Sequence, residues 1–140
     1  MVQLTDIHIQ DENDLDVLSE RISSLGRAIC NHITDSDSTA VFLCLTGDLA
    51  FSGKENQYVA VGIILEEICS IMKRRFPKVK IYPIFVPGNH DCNFDDENET
   101  IREVLLTSPE LDITNERQLR VCTSIQKNYF NFVSEWIKKI

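Results

Sequence analysis

Three short blocks carry residue types that can hold a divalent cation and move a proton: Asp6 and His8, then Asp48, then Asn89, His90 and Asp91. Carboxylate oxygen, imidazole nitrogen and amide oxygen are hard-to-borderline ligands, suited to manganese, iron, zinc or nickel. Asp6 and His8 lie two apart, so on an extended chain both point to one side and at a strand end both can reach one cation. Asp48 offers two oxygens that point in different directions and can sit between two cations, with Gly47 leaving room for close backbone approach. A thiolate site would need clustered cysteines. Cys30, Cys44, Cys69, Cys92 and Cys122 are odd in number, widely spaced and without a C-x-x-C pair, so neither a disulfide framework nor a zinc knuckle is expected. The set fits a reducing, cytoplasmic setting, with Cys30, Cys44 and Cys69 read as small core hydrophobes.

Each block follows an apolar segment. Val2-Gln3-Leu4-Thr5 alternates and runs into the first, and Ala40 to Leu45 is a continuous apolar run of the kind that fills a strand buried on both faces. Val79 to Val86 is a third strand, in which Pro83 points to a border of the sheet. Between them, Leu15, Leu18, Ile22, Leu25 and Ile29 mark one amphipathic helix, with Asp14 as its N-cap and His32 as a solvated or capping residue at its end. Tyr58, Val61, Leu65, Ile68, Cys69 and Met72 mark a second, closed by Lys73-Arg74-Arg75 in a last turn where cations complement the helix dipole. Thr34 to Ser38 is turn chemistry. After the acidic run Asp95 to Glu99, read as a solvated loop, a final helix is expected through Leu119, Cys122, Ile125, Tyr129, Phe132, Val133 and Trp136, its aromatic stripe serving as core or as a face covered by a further element.

Strand, helix, strand, helix, strand is the pattern of an α/β fold, a parallel βαβαβ sheet with flanking helices. Ligands collect beyond the carboxyl ends of such strands, and all three blocks fall there.

At 140 residues and 43% hydrophobic, the chain is one domain's worth of sequence and disorder over its whole length is excluded. Residues 1–95 hold the motifs, and 96–140 an acidic loop and the C-terminal helix. With 22 acidic against 14 basic residues the formal charge is −8, which disfavours a general nucleic-acid coating role. No apolar run approaches the roughly 20 residues of a membrane span, and the first residues show neither a basic lead nor a long apolar stretch. A soluble protein without an export signal is the expectation.

Asp6-Ile7-His8, Gly47-Asp48 and Gly88-Asn89-His90-Asp91 together resemble the first three signature blocks of the calcineurin-like metallophosphoesterases. The spacing agrees, with Asp48 42 residues after Asp6 and Asn89 41 residues after Asp48. A Gly-Asn-His-Asp tetrapeptide arises by chance in roughly one chain in a thousand of this size, and three blocks in order make coincidence a poor explanation. The resemblance implies the first half of a four-layer α/β/β/α sandwich and two divalent metal ions. It implies that Asp6 and His8 hold the first ion, that Asp48 bridges both and that Asn89 ligates the second. His90 would contact phosphate and protonate the leaving oxygen, with Asp91 as the carboxylate that orients it. Two cations about 3.5–4 Å apart activate a bound water and clamp the phosphoryl oxygens during an in-line displacement.

The family pattern continues with a later lone His and a Gly-His-x-His block, whereas the histidines here are His8, His32 and His90. A further C-terminal half or an oligomer partner is therefore implied, unless the chain is a degraded homologue. Two classes of function stay open: a hydrolase of phosphate esters, and a non-catalytic metal- or partner-binding module. Gly47-Asp48-Leu49-Ala50-Phe51-Ser52-Gly53 followed by Glu55 and Tyr58 resembles the cyclic-nucleotide phosphodiesterase-like branch. The DNA-repair nuclease branch continues with an aspartate soon after the bridging one, and the protein serine/threonine phosphatases carry an Arg where this chain has Asp91-Cys92. A phosphodiester, or else a phosphomonoester, is the expected substrate class, with a small phosphodiester favoured and a nuclease role the alternative within the family.

Overall fold

A computed structural model describes residues 1–11, 13–33 and 39–139. Three parallel strands, β1 (Val2–Leu4), β2 (Ala40–Thr46) and β3 (Lys80–Val86), form a sheet of order β1-β2-β3. The crossovers carry helices α1 (Asn13–His32) and α2 (Glu55–Arg75). Successive crossovers of one hand that advance in one direction place their helices on one face of a sheet. The packing follows that rule: Val41, Leu43 and Leu45 of β2 are buried in one core with Ile22 and Ile29 of α1 and Leu65, Ile68 and Met72 of α2. Pro83 lies on an edge strand, where a residue without an N–H is tolerated.

The expectation that β2 is buried on both faces does not hold. Phe42 is 49% exposed, and Tyr82, Ile84 and Val86 beside it are 45 to 49% exposed, because the helices cover only the other face. The Phe42 and Tyr82 rings stack on this open side with centroids 5.6 Å apart. In α1 the apolar stripe is centred further round than the leucines alone indicate: Leu25 is exposed, while Gly26 is buried so tightly that a Cβ there would meet Ile71. Asp14 lies one residue inside α1 rather than at its N-cap, and its carboxylate reaches back to the Gln10 amide (2.7 Å). The turn expected at Thr34 to Ser38 lies outside the described residues. His32 ends α1 exposed, its Nδ1 2.9 Å from the Ala28 carbonyl, and Lys73, Arg74 and Arg75 form the last turn of α2 as expected.

Beyond β3 the chain forms α3 (Glu99–Thr107), α4 (Glu116–Thr123), a 3-10 turn (Ser124–Gln126) and α5 (Lys127–Ile137). The single long C-terminal helix expected from Leu119 onward is thus broken at Ser124, whose hydroxyl is drawn to Asp96. Asp96 departs from a solvated acidic run as well. It pairs with the buried Arg102 (2.5 Å), and although burial pushes the other way, hydrogen bonds from Ser124 and Arg102 hold its carboxyl below the usual range. The aromatic stripe of α5 is core: Trp136 and Phe132 each make a T-shaped contact with Phe85, and Tyr129 and Trp136 are fully enclosed. Cys30, Cys44, Cys69 and Cys92 are buried free thiols, and burial pushes those of Cys30, Cys69 and Cys92 up. Among the described residues no helix is long and apolar enough to cross a membrane.

Candidate metal centre

The sheet ends early, at Leu4 and Thr46, and the loops that follow β1 and β2 stay paired through backbone bonds. Asp6 N–H donates to Gly47 O (3.2 Å), His8 N–H to Asp48 O (3.0 Å), Ile9 N–H to Leu49 O (3.1 Å) and Phe51 N–H to Ile9 O (3.0 Å). Within this irregular ladder Asp6 (φ 56°), His8 (φ 52°) and Asp48 (φ 55°) all adopt the left-handed conformation. That conformation costs a non-glycine residue roughly 1–2 kcal/mol, and such strain concentrates where side chains must be aimed at a function. Here it falls on the three residues that chemistry had singled out in these two loops. Asp6 and His8 are therefore brought together by coiled backbone and not, as expected, by the alternation of an extended strand.

One ligand atom each from Asp6, His8 and Asp48 lies within 4.8 Å of the other two. His8 Nε2 is 3.7 Å from Asp6 Oδ1, and the Thr5 hydroxyl orients the other Asp6 oxygen (2.6 Å). His8 Nδ1 is buried with no hydrogen-bond partner, a state that proteins seldom leave without a ligand or ordered solvent to satisfy it. The third loop closes over Asp48. His90 N–H donates to Asp48 Oδ1 (2.9 Å), and a Cβ added to Gly88 would stand 2.6 Å from Asp48 N and 2.7 Å from its carboxyl carbon. Asn89 is exposed between these two residues, at the same rim. The oxygen and nitrogen donors that Asp6, His8 and Asp48 bring together, and a cradle shaped around the Asp48 carboxylate, fit a divalent cation.

Gly88→Ala tests that cradle. The added methyl has no room while Asp48 keeps its place, so the variant should lose about 1–3 kcal/mol of stability, as overpacked sites do, and lose metal uptake with it. Urea unfolding and metal content after gel filtration measure the two effects.

His90 and Asp91 correct the expected pairing. Asp91 is fully buried and does not orient the His90 ring; its carboxylate accepts from Gly88 N (3.0 Å), Ala50 N (3.1 Å), Leu49 N (3.4 Å) and the Tyr58 hydroxyl (3.1 Å). It thereby clamps the second loop to the third. Burial foremost, and then the Asp91 charge and hydrogen bond, push the Tyr58 phenol far up. The His90 ring is oriented by a backbone group, with Nδ1 2.7 Å from the Phe51 carbonyl. A carbonyl oxygen only accepts, so Nδ1 carries the hydrogen and Nε2 is the position left to exchange a proton. The ring stands edge-on to that of His8, with centroids 4.6 Å apart, and the half-exposed Phe51 ring lies 5.6 Å from it. Thr5 could have been suspected from its place beside Asp6, whereas Tyr58 reads in the sequence only as part of the apolar stripe of α2. The Phe51 contribution could not, because a carbonyl leaves no mark on residue type.

A family model described as calcineurin-like phosphoesterase matches residues 1–136 of the 140-residue chain. No curated protein matches it.

Proposed function

We propose that this chain, which belongs to the calcineurin-like phosphoesterase family, hydrolyses a small phosphodiester with the aid of two divalent metal ions. Family membership suggests metal-dependent phosphoester hydrolysis. The observation that carries the finer reading is the convergence of Asp6, His8 and Asp48, each in a strained left-handed conformation, at one rim beside an imidazole held in a defined tautomer.

In this reading Asp6, His8 and Asp48 would hold the first ion, and Asp48 and Asn89 the second, with manganese, iron, zinc or nickel as the candidates. When bound, such ions activate a water and neutralise charge developing on the phosphoryl oxygens. The chain's own residues supply orientation and a proton. Thr5 sets the angle of the Asp6 carboxylate, and the amide of His90 fixes one oxygen of Asp48. The Phe51 carbonyl engages Nδ1 of His90, leaving Nε2 as the nitrogen that, in the imidazolium form, would donate its proton to the departing alkoxide. Asp91 is a positioning residue that keeps the loops of Asp48 and Asn89 together.

Two features support a small diester of the cyclic-nucleotide phosphodiesterase-like branch. The exposed Phe51 ring beside both imidazoles offers a flat apolar wall to an aromatic group. The net charge of −8 opposes a long polyphosphate chain. The test is hydrolysis of a cyclic nucleotide and of an aryl phosphodiester by this protein, with manganese, iron, zinc or nickel supplied in turn. Turnover that needs the metal and vanishes with chelator is expected. Metal uptake without turnover of any phosphate ester favours the binding-module reading.

A further inference from the structure

We infer that Gln57 is a positioning residue for the metal centre: its side-chain amide ties the loop bearing Asp6 and His8 to the loop bearing Asp48. The inference rests on the metal-centre reading given above. Gln57 sits in the first turn of α2 and is only 4% exposed, an unusual place for an uncharged polar side chain unless all its hydrogen-bonding capacity is used. It is used on two loops at once. Oε1 accepts from Ser52 N–H (3.0 Å) and Lys54 N–H (3.2 Å), in the loop that follows Asp48. Nε2 donates to Gln10 O (3.1 Å), in the loop that follows His8, and to Ser52 Oγ (3.1 Å).

The position of this bridge gives it leverage. The ladder between the two loops consists of a few backbone bonds that end at Ile9 and Phe51, and Gln57 grips the residue immediately after each, Gln10 and Ser52. Those same few bonds hold Asp6, His8 and Asp48 in conformations that each residue alone disfavours. Short loop ladders open locally at little cost, so a buried clamp at the open end decides how long the strained geometry persists. An amide suits this place because it accepts and donates together. A carboxylate only accepts, and a thioether does neither to any useful extent.

Two variants of near-equal size separate the contacts. Gln57→Glu keeps an acceptor for Ser52 and Lys54 but sets a charged oxygen against Gln10 O, releasing the Asp6–His8 loop. Gln57→Met removes every contact and serves as the harsher arm; if it does not fold, Gln57→Glu decides. Titrating Mn2+ into each protein by calorimetry should show affinity weakened by about 10–100-fold, the usual effect of removing an outer partner that orients metal ligands. Amide hydrogen exchange without metal should be faster at His8, Ile9 and Phe51 than in the unaltered protein, while the core of β2 stays protected. Folded variants that bind Mn2+ within twofold of the unaltered protein, with exchange at those amides unchanged, would reduce Gln57 to a packing residue and overturn the inference alone. An unaltered protein that takes up no Mn2+ overturns the metal-centre reading and this inference with it.

Discussion

Asp48→Asn should yield a folded protein that neither retains divalent metal nor hydrolyses a phosphate ester above background. The substitution is chosen for its backbone. Asp48 sits at φ 55°, and asparagine is among the few residues that enter the left-handed region readily, whereas alanine there adds strain of its own. The asparagine carbonyl can still accept from His90 N–H, so the third loop has no reason to leave. What disappears is the negative charge and the second acceptor oxygen. In the proposed centre Asp48 would be a direct ligand shared by two ions, which matters more than the outer partners whose removal costs about 10–100-fold in affinity, so metal binding should fall beyond that range. Metal content after gel filtration and the rate with a phosphodiester measure the effect, with circular dichroism to confirm the fold. A variant that keeps its metal would mean that Asp48 is not a ligand, and the roles assigned to Asp6, His8 and Asn89 would lose their common centre.

The three blocks were legible because chemistry and topology agree on them. Parallel strands deliver their following loops to one rim, and Asp6, His8 and Asp48 need only their residue types to be noticed there. The conformations that make them converge were not legible, since an aspartate or histidine at positive φ carries no sequence mark of the kind a glycine leaves. Backbone groups are silent in the same way, and the family resemblance implied Asp91 as the partner of His90 when the partner is the Phe51 carbonyl. The apolar run of β2 gave its strand correctly but not its covering. Phe42 and Val41 look alike in sequence, and only the shared side of α1 and α2 decides which of them is enclosed. Arg102 shows the converse, a charged residue in an amphipathic helix that lies buried because Asp96 and Ser124 meet it there.

His90→Ala should slow hydrolysis of a phosphodiester with a poor leaving group by about 10²–10⁴-fold, the range typical of a positioned general acid, while metal content stays nearly unchanged. The separation follows from which atoms do what. Asp48 is held by the His90 backbone amide, which alanine retains, so the cradle survives. The ring contributes Nε2, and the Phe51 carbonyl on Nδ1 leaves that nitrogen as its proton-exchanging position. A nitrophenolate leaves without waiting for a proton, so an activated diester should lose far less, and the ratio of the two losses reports proton donation independently of stability. The rings of His8 and Phe51 lose a neighbour in the variant, a packing change that acts on both substrates alike and cancels in that ratio. Equal losses on both substrates would assign His90 to structure or to phosphate binding. No loss with the poor-leaving-group diester would remove the general acid from the scheme, and the non-catalytic binding module would then be the better account of a centre that holds metal without turning over an ester.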